Sequence, residues 1–190
     1  NEKATPATYF AVKYLFNKPE PKLILIASEK MGKTLPASSY TKNLQALAKQ
    51  LGSNTAGALA PDINLKTPEG EMLALSSLRG KVVLIDFWAS WCGPCRRENP
   101  AVKAIYEKYK DKGFEIYGVS LDNSASKWNA AIAKDGLTWK HVSDLGGWKS
   151  SAAQLYGVRS IPATFLLDKE GRIYKSSFRS HELEGLLKQL

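Results

Sequence analysis

The stretch that most constrains this chain is Lys81-Val-Val-Leu-Ile-Asp-Phe-Trp88, an apolar run leading into Cys92-Gly-Pro-Cys95, which holds both cysteines of the protein. Val82, Val83, Ile85, Phe87 and Trp88 are β-branched or aromatic, as a buried central strand requires. After Cys95 come Arg96, Arg97 and Glu98, then a helical pattern to about Lys112 with Val102, Ile105, Tyr106 and Tyr109 as its apolar stripe. The cysteines therefore fall where a strand ends and a helix begins. A helix N-terminus offers unpaired N–H groups and partial positive charge, which favour a thiolate in its first turn. Thiolate is the reactive form, and such contexts lower a cysteine pKa from about 8.5 to between about 3.5 and 7.5. Pro94 stands at a first-turn position, where its missing N–H costs nothing.

Other readings of the pair are weaker. A structural zinc site needs four ligands, and the remaining soft candidates, His141 and His181, stand alone in unrelated segments. A static disulfide across so short a loop would remove little entropy from the unfolded chain. A dithiol that reacts is the reading that remains.

The segment Asp86-Phe-Trp-Ala-Ser-Trp-Cys-Gly-Pro-Cys95 resembles the active-site signature of the thioredoxin superfamily. Tyr156-Gly-Val-Arg-Ser-Ile-Pro-Ala-Thr-Phe-Leu-Leu-Asp168 resembles that superfamily's cis-proline segment. The flanks Ala60-Pro-Asp-Ile-Asn-Leu65, Leu78-Arg-Gly-Lys-Val-Val-Leu84 and Arg96-Arg-Glu-Asn-Pro100 are similar to the TlpA/ResA-like branch of thiol–disulfide oxidoreductases. The resemblance covers residues 58–190 and leaves 1–57 unassigned. It implies a thioredoxin-like α/β domain, a mixed sheet flanked by helices behind an N-terminal hairpin, and a disulfide-exchange activity that needs no cofactor.

The chain has 190 residues and a 44% hydrophobic share, ample for a core. No apolar stretch reaches the roughly 18 to 20 residues of a membrane helix. Asn1-Glu-Lys-Ala-Thr shows no basic-then-apolar leader, and with no initiating Met a fragment or processed form is expected. The net charge of +9 is spread along the chain: eight Lys against three acids up to Ala60, nineteen Lys and Arg against fifteen acids beyond. No basic tract or nucleic-acid reader motif emerges, so nucleic acid is not an expected partner. The diffuse field suits solubility or acidic partners.

Along the chain, Thr5–Phe16 reads as a helix and Asn17-Lys-Pro-Glu-Pro21 as a break. Lys22–Met31 reads as a second helix ended by Gly32. A third helix is capped by Ser38 or Ser39, striped by Leu44, Leu47, Ala48 and Leu51, and closed by Gly52; a linker runs to Gly57. These short helices are expected to be the tail of an upstream region, or a connector. Asp62–Lys66 and Glu71–Leu75 alternate around Thr67-Pro-Glu-Gly70, a hairpin signal. Then come strand 81–88, the helix to about 112, which Pro100 should kink, and strand 114–121. A helix at 125–135, a strand near 139–142 and a short helix at 150–156 follow. A hairpin of 164–167 and 173–175 precedes a final helix at 180–190, capped by Ser180 and burying Leu183, Leu186 and Leu187.

As an exchange centre, the pair works through Cys92 as the exposed attacking thiolate and Cys95 as the more buried resolving thiol. Asp86, in mid-strand, should have a raised pKa and could exchange a proton with Cys95; a plain hydrogen-bonded core Asp is the alternative. In thioredoxins a Lys on the next strand pairs with such an Asp, yet Glu115-Ile-Tyr-Gly-Val-Ser120 has none. Glu98 matches, by the ResA-like resemblance, a Glu that tunes the cysteines; alternatively it is a first-turn acid complementing the helix dipole. Pro162 is by resemblance the cis proline, with the backbone at Ile161 pairing with an extended substrate. Trp91, Gly93 and Pro94 would complete the substrate face. Trp88 reads as core; Trp139, Trp148, His141 and His181 read as structural or surface residues.

The implied partners are protein dithiols and disulfides, an upstream electron donor, and a membrane tether or further domain outside this chain. The Gly-Pro between the cysteines is similar to the reducing thioredoxins. An extracytoplasmic location is implied by the resemblance alone, and cytochrome c maturation is one role it allows. Two competing readings are a redox-sensing binding module and a thiol peroxidase. Peroxiredoxins place Thr or Ser three residues before the peroxidatic Cys, where Ala89 precedes Cys92 here.

Overall fold

A computed structural model describes residues 21–190. The backbone divides between Asn54 and Thr55 into two compact units. In the first, α1 (Pro21–Thr34) and α2 (Ser39–Ser53) pack around Ile24, Ala27, Met31, Leu44 and Ala48. Pro21 heads α1, one residue before the expected start, a position where its fixed φ is pre-organised for a helix. Gly32 does not end α1, which runs on to Thr34. A Cβ at Gly32 would lie 3.0 Å from the Gln45 Nε2 of α2. Likewise α2 continues through Gly52 to Ser53, and the Ser38 Oγ accepts from the Tyr40 N–H at its start. The expected Thr5–Phe16 helix lies outside the described residues.

The second unit opens with a hairpin, β1 (Asn64–Lys66) and β2 (Met72–Ala74), closed by a bond from the Thr67 N–H to the Glu71 carbonyl. Gly70 supplies the positive φ of +93° that this turn requires. A mixed five-stranded sheet follows, in the order β5 (Lys140–Val142), β4 (Phe114–Ser120), β3 (Val82–Trp88), β6 (Ala163–Leu167), β7 (Ile173–Ser176). β3, β4 and β5 run parallel; β6 runs antiparallel to β3, and β7 antiparallel to β6. β3 lies between two strands with helices nearby, which is why its sequence is a nearly continuous apolar run. Side chains alternate between its faces. Phe87 packs against Tyr156 and Phe165 on one face, and Trp88 meets His141 on the other.

α3 (Gly93–Tyr109) leaves β3 through residues 89–92, and Val102 and Tyr106 bury its expected stripe. Its helical assignment is continuous through Pro100, whose ring leaves the Arg96 carbonyl without an intrahelical donor. α4 (Ala125–Asp135) and the short α5 (Ser151–Leu155) connect the later strands, and α6 (Ser180–Leu187) closes the chain. Two details of α6 differ from expectation. Arg179, not Ser180, is its N-cap, and the Arg179 N–H donates to Glu182 Oε1 at 2.9 Å, the reach-back half of a capping box. The helix stops at Leu187, with Leu183 fully buried but Leu186 and Leu187 only partly covered.

Candidate functional site

Cys92 is the N-cap of α3, in extended backbone, and its Sγ accepts from the Cys95 N–H at 3.2 Å. That bond takes up one of the orphan donors of the helix start and would stabilise negative charge on the same sulfur. The two sulfurs are joined as a disulfide. Expected burial differs here: Cys92 and Cys95 are 4% and 3% exposed, so neither stands out toward solvent in the oxidised form. The asymmetry between them lies in their surroundings. Cys92 adjoins Trp91, 52% exposed, while Cys95 faces an internal cavity of about 20 Å³ shared with Asp86, Glu98, Pro162 and Thr164. The Ile161–Pro162 bond is cis, both residues are half-buried, and Gly93 and Pro94 are exposed. No cluster of three or more His, Cys, Asp or Glu that could hold a metal occurs among the described residues.

Asp86 sits in register between Gly118 of β4 and Thr164 of β6. The Thr164 hydroxyl donates elsewhere, to the Phe178 carbonyl at 2.8 Å, and no described residue hydrogen-bonds or ion-pairs with the Asp86 carboxyl. Burial pushes its carboxyl up to about 7, and the charge of Glu98 adds to the rise. The space over Gly118 belongs to His141, whose Nδ1 would lie 2.8 Å from a Cβ there. Buried between Trp88 and Trp139, with neither ring nitrogen bonded within the protein, His141 is pushed down to about 3 and stays neutral.

Glu98 stands in the second turn of α3, so it does not complement that helix's own N-terminus. Its carboxylate accepts instead from the Ser180 N–H at 3.1 Å and from Arg179 Nη1 at 3.3 Å. It caps α6 from outside, and faces the cavity beside Cys95.

The loop into Cys92 is held by residues that sequence reasoning missed. Asp122, buried just past β4, accepts from the Ser90 N–H at 2.9 Å, from the Ser90 hydroxyl, and from the Ser120 hydroxyl at 2.8 Å. Arg96 reaches back to the Ser90 carbonyl at 3.4 Å and forks onto Asp135 at the end of α4, its Nε 2.8 Å from Oδ2. Asn99 donates to the same carboxylate at 2.9 Å, and the Arg96 guanidinium holds Asp135 below the usual carboxylate range. One signal could have found Asp122: β3 and β4 are parallel, and functional loops gather at the carboxyl ends of such strands. Trp148 is likewise more than an isolated surface residue, with its ring 6.0 Å from that of Trp91.

The chain is similar in sequence and fold to known proteins. The AhpC/TSA family pattern matches residues 56–176. The thiol-disulfide oxidoreductase ResA of Bacillus anthracis is 33% identical over 137 residues, covering 70% of this chain and 78% of the relative. The ResA protein of Bacillus cereus (strain ATCC 10987) is 30% identical over 171 residues, covering 88% and 92%. The crystal structure of the thioredoxin domain of a thiol-disulfide oxidoreductase from Bacteroides vulgatus superposes with a TM-score of 0.67 at 33% identity, covering 71% of this chain and 96% of that one.

Proposed function

Because the chain belongs to the AhpC/TSA family, as a thioredoxin-fold thiol–disulfide oxidoreductase of the ResA-like branch, we propose that it works as a reductant of protein disulfides outside the cytoplasm. The observation that carries the chemistry is the capping of α3 by the Cys92 sulfur, with Cys95 turned to the cavity that holds Asp86. In the reduced protein, the Cys92 thiolate attacks one sulfur of the substrate disulfide; that bond breaks and a mixed disulfide forms. Cys95 then gives its proton to Asp86, attacks the Cys92 sulfur and expels the second substrate thiolate. Two electrons pass to the substrate, its two sulfurs take up protons, and the Cys92–Cys95 disulfide remains. An upstream dithiol donor must reduce it again.

A carboxyl titrating near neutrality suits this proton transfer, since both its forms are populated at working pH. Extended substrate backbone pairs at Ile161, beside the cis Pro162, in the manner of an added strand. The Gly-Pro between the cysteines supports the reducing direction, and the ResA-like resemblance supports the location.

Trapping tests the proposal. Cys95→Ser, offered a disulfide-bonded secreted protein, should stall as a mixed disulfide through Cys92, and Cys92→Ser/Cys95→Ser should not. Binding that persists without either cysteine, with no mixed disulfide in Cys95→Ser, would instead make the chain a binding module.

A further inference from the structure

Large apolar side chains are left half-exposed beside the reactive sulfur, on a turn that is built with care. Trp91 precedes Cys92 and is 52% exposed; Trp148 is 50% exposed and lies 6.0 Å away, tilted by 53°. Both rings line an open groove together with Leu121, Asn123 and Lys149. The turn that presents Trp148 is held in place. The Asp144 carboxylate accepts from the Gly146 N–H at 3.1 Å and from the Ser151 N–H at 2.7 Å. The Lys149 N–H closes onto the Gly146 carbonyl at 2.9 Å. Neither glycine of the turn can be replaced freely. A Cβ at Gly146 would sit 3.0 Å from the Ser150 nitrogen, and Gly147 has a φ of +56°. Rigid, exposed tryptophans at the centre of a contact patch are the residues that most often dominate binding energy. Nothing in the exchange chemistry itself calls for Trp148.

We propose that Trp148, paired with Trp91, is a specificity-determining residue: the groove receives an apolar, preferably aromatic, side chain adjacent to the reacting cysteine of the protein substrate. The inference rests on the exchange function proposed above. The occupant follows from continuity, because Trp91 precedes Cys92 in the chain and also lines the groove, so a disulfide presented to Cys92 lays its neighbouring residue against the paired rings. Aromatic partners meet such a pair edge-on or offset, and a small polar side chain would leave both rings in water.

The test uses the full chain, reduced beforehand, and two cyclic disulfide peptides that differ only in Phe or Ser next to the attacked cysteine. Each reaction moves two electrons and two protons from Cys92 and Cys95 to the peptide. The expected result is a kcat/KM on the order of tenfold higher for the Phe peptide, carried by KM. In Trp148→Ala the ratio should fall toward one, and in Trp148→Phe it should largely return. Equal rates on both peptides in the unaltered protein, or a preference that survives in Trp148→Ala, overturns the inference while leaving the exchange function standing. Failure to reduce either peptide overturns both.

Discussion

Asp86 and Asp122 are two aspartates set against the same pair of parallel strands, and their surroundings make them opposites. Asp122 has three donors: the Ser90 N–H, the Ser90 hydroxyl and the Ser120 hydroxyl. Asp86 has none among the described residues, lies between Gly118 and Thr164, and is pushed up to about 7. A carboxylate with its lone pairs satisfied is a fastener, and here it ties down the loop that carries Cys92. A carboxyl denied donors gives up its charge easily, which suits it to the proton transfer proposed for Asp86. Residue type says little about which role results; the donors within reach decide.

The sharpest way to break this contrast is to remove each carboxylate in turn. Asp122→Ala leaves three donors without their acceptor, and should cost about 3 kcal/mol in denaturant unfolding. Asp86→Asn removes a charge that the folded protein resists. At pH 8, above both the folded value of about 7 and the unfolded value of 3.8, it should stabilise the protein, by about 2 kcal/mol after allowance for partial access to water. Similar losses in both variants would erase the distinction.

The pH dependence of stability sharpens it further. Between about pH 4 and 7 the folded protein holds the Asp86 proton that the unfolded chain has lost, so stability falls as pH rises through that window. His141 has the reverse sign. Its folded value of about 3 lies below the ordinary 6.5, so the unfolded chain takes a proton that the fold refuses, and stability rises with pH from about 3 to 6.5. The two nearly cancel. Relative to the unaltered protein, Asp86→Asn should therefore gain stability with rising pH across that range, by up to about 1.4 kcal/mol per pH unit, and His141→Phe should lose it. Difference curves of one sign for both variants would contradict the assignment.

Glu98→Gln should have the smallest effect. Losing its charge lowers the Asp86 value, so the proton-linked step of exchange should titrate below 7. Losing the charged acceptor for the Ser180 N–H should weaken the docking of α6 by about 1 kcal/mol. A pH profile that does not move would separate Glu98 from Asp86.

The fold was legible wherever local pattern and burial agree. The apolar run 82–88, the helix at 125–135 and the two hairpins emerge where the periodicity places them, because short-range chemistry and tertiary packing ask for the same residues there. What could not be read came from contacts distant in sequence. Glu98 finds its partners at Arg179 and Ser180, and no spacing within α3 announces this. Gly32 looks like a terminator, yet α1 runs through it to Thr34, with Gln45 of the neighbouring helix 3.0 Å from where a Cβ would stand. Asp122 and Trp148 lie outside the regular helices and strands, where no periodicity marks a side chain, and they meet Ser90 and Trp91, just before Cys92, only through tertiary contacts. At the site, the position of the cysteines at a strand–helix junction was readable; the like burial of both, 4% and 3% exposed, was not, since burial is set by packing distant in sequence.

The account stands on the Cys92–Cys95 pair being a reversible, reducing dithiol. Its reduction potential, obtained by equilibrating the protein in graded thiol buffers and following tryptophan fluorescence beside Cys92, tests this most directly. A value near the roughly −270 mV of thioredoxin is the predicted result. A value near about −120 mV, that of a strong oxidant, would reverse the direction of electron flow and contradict the proposed role.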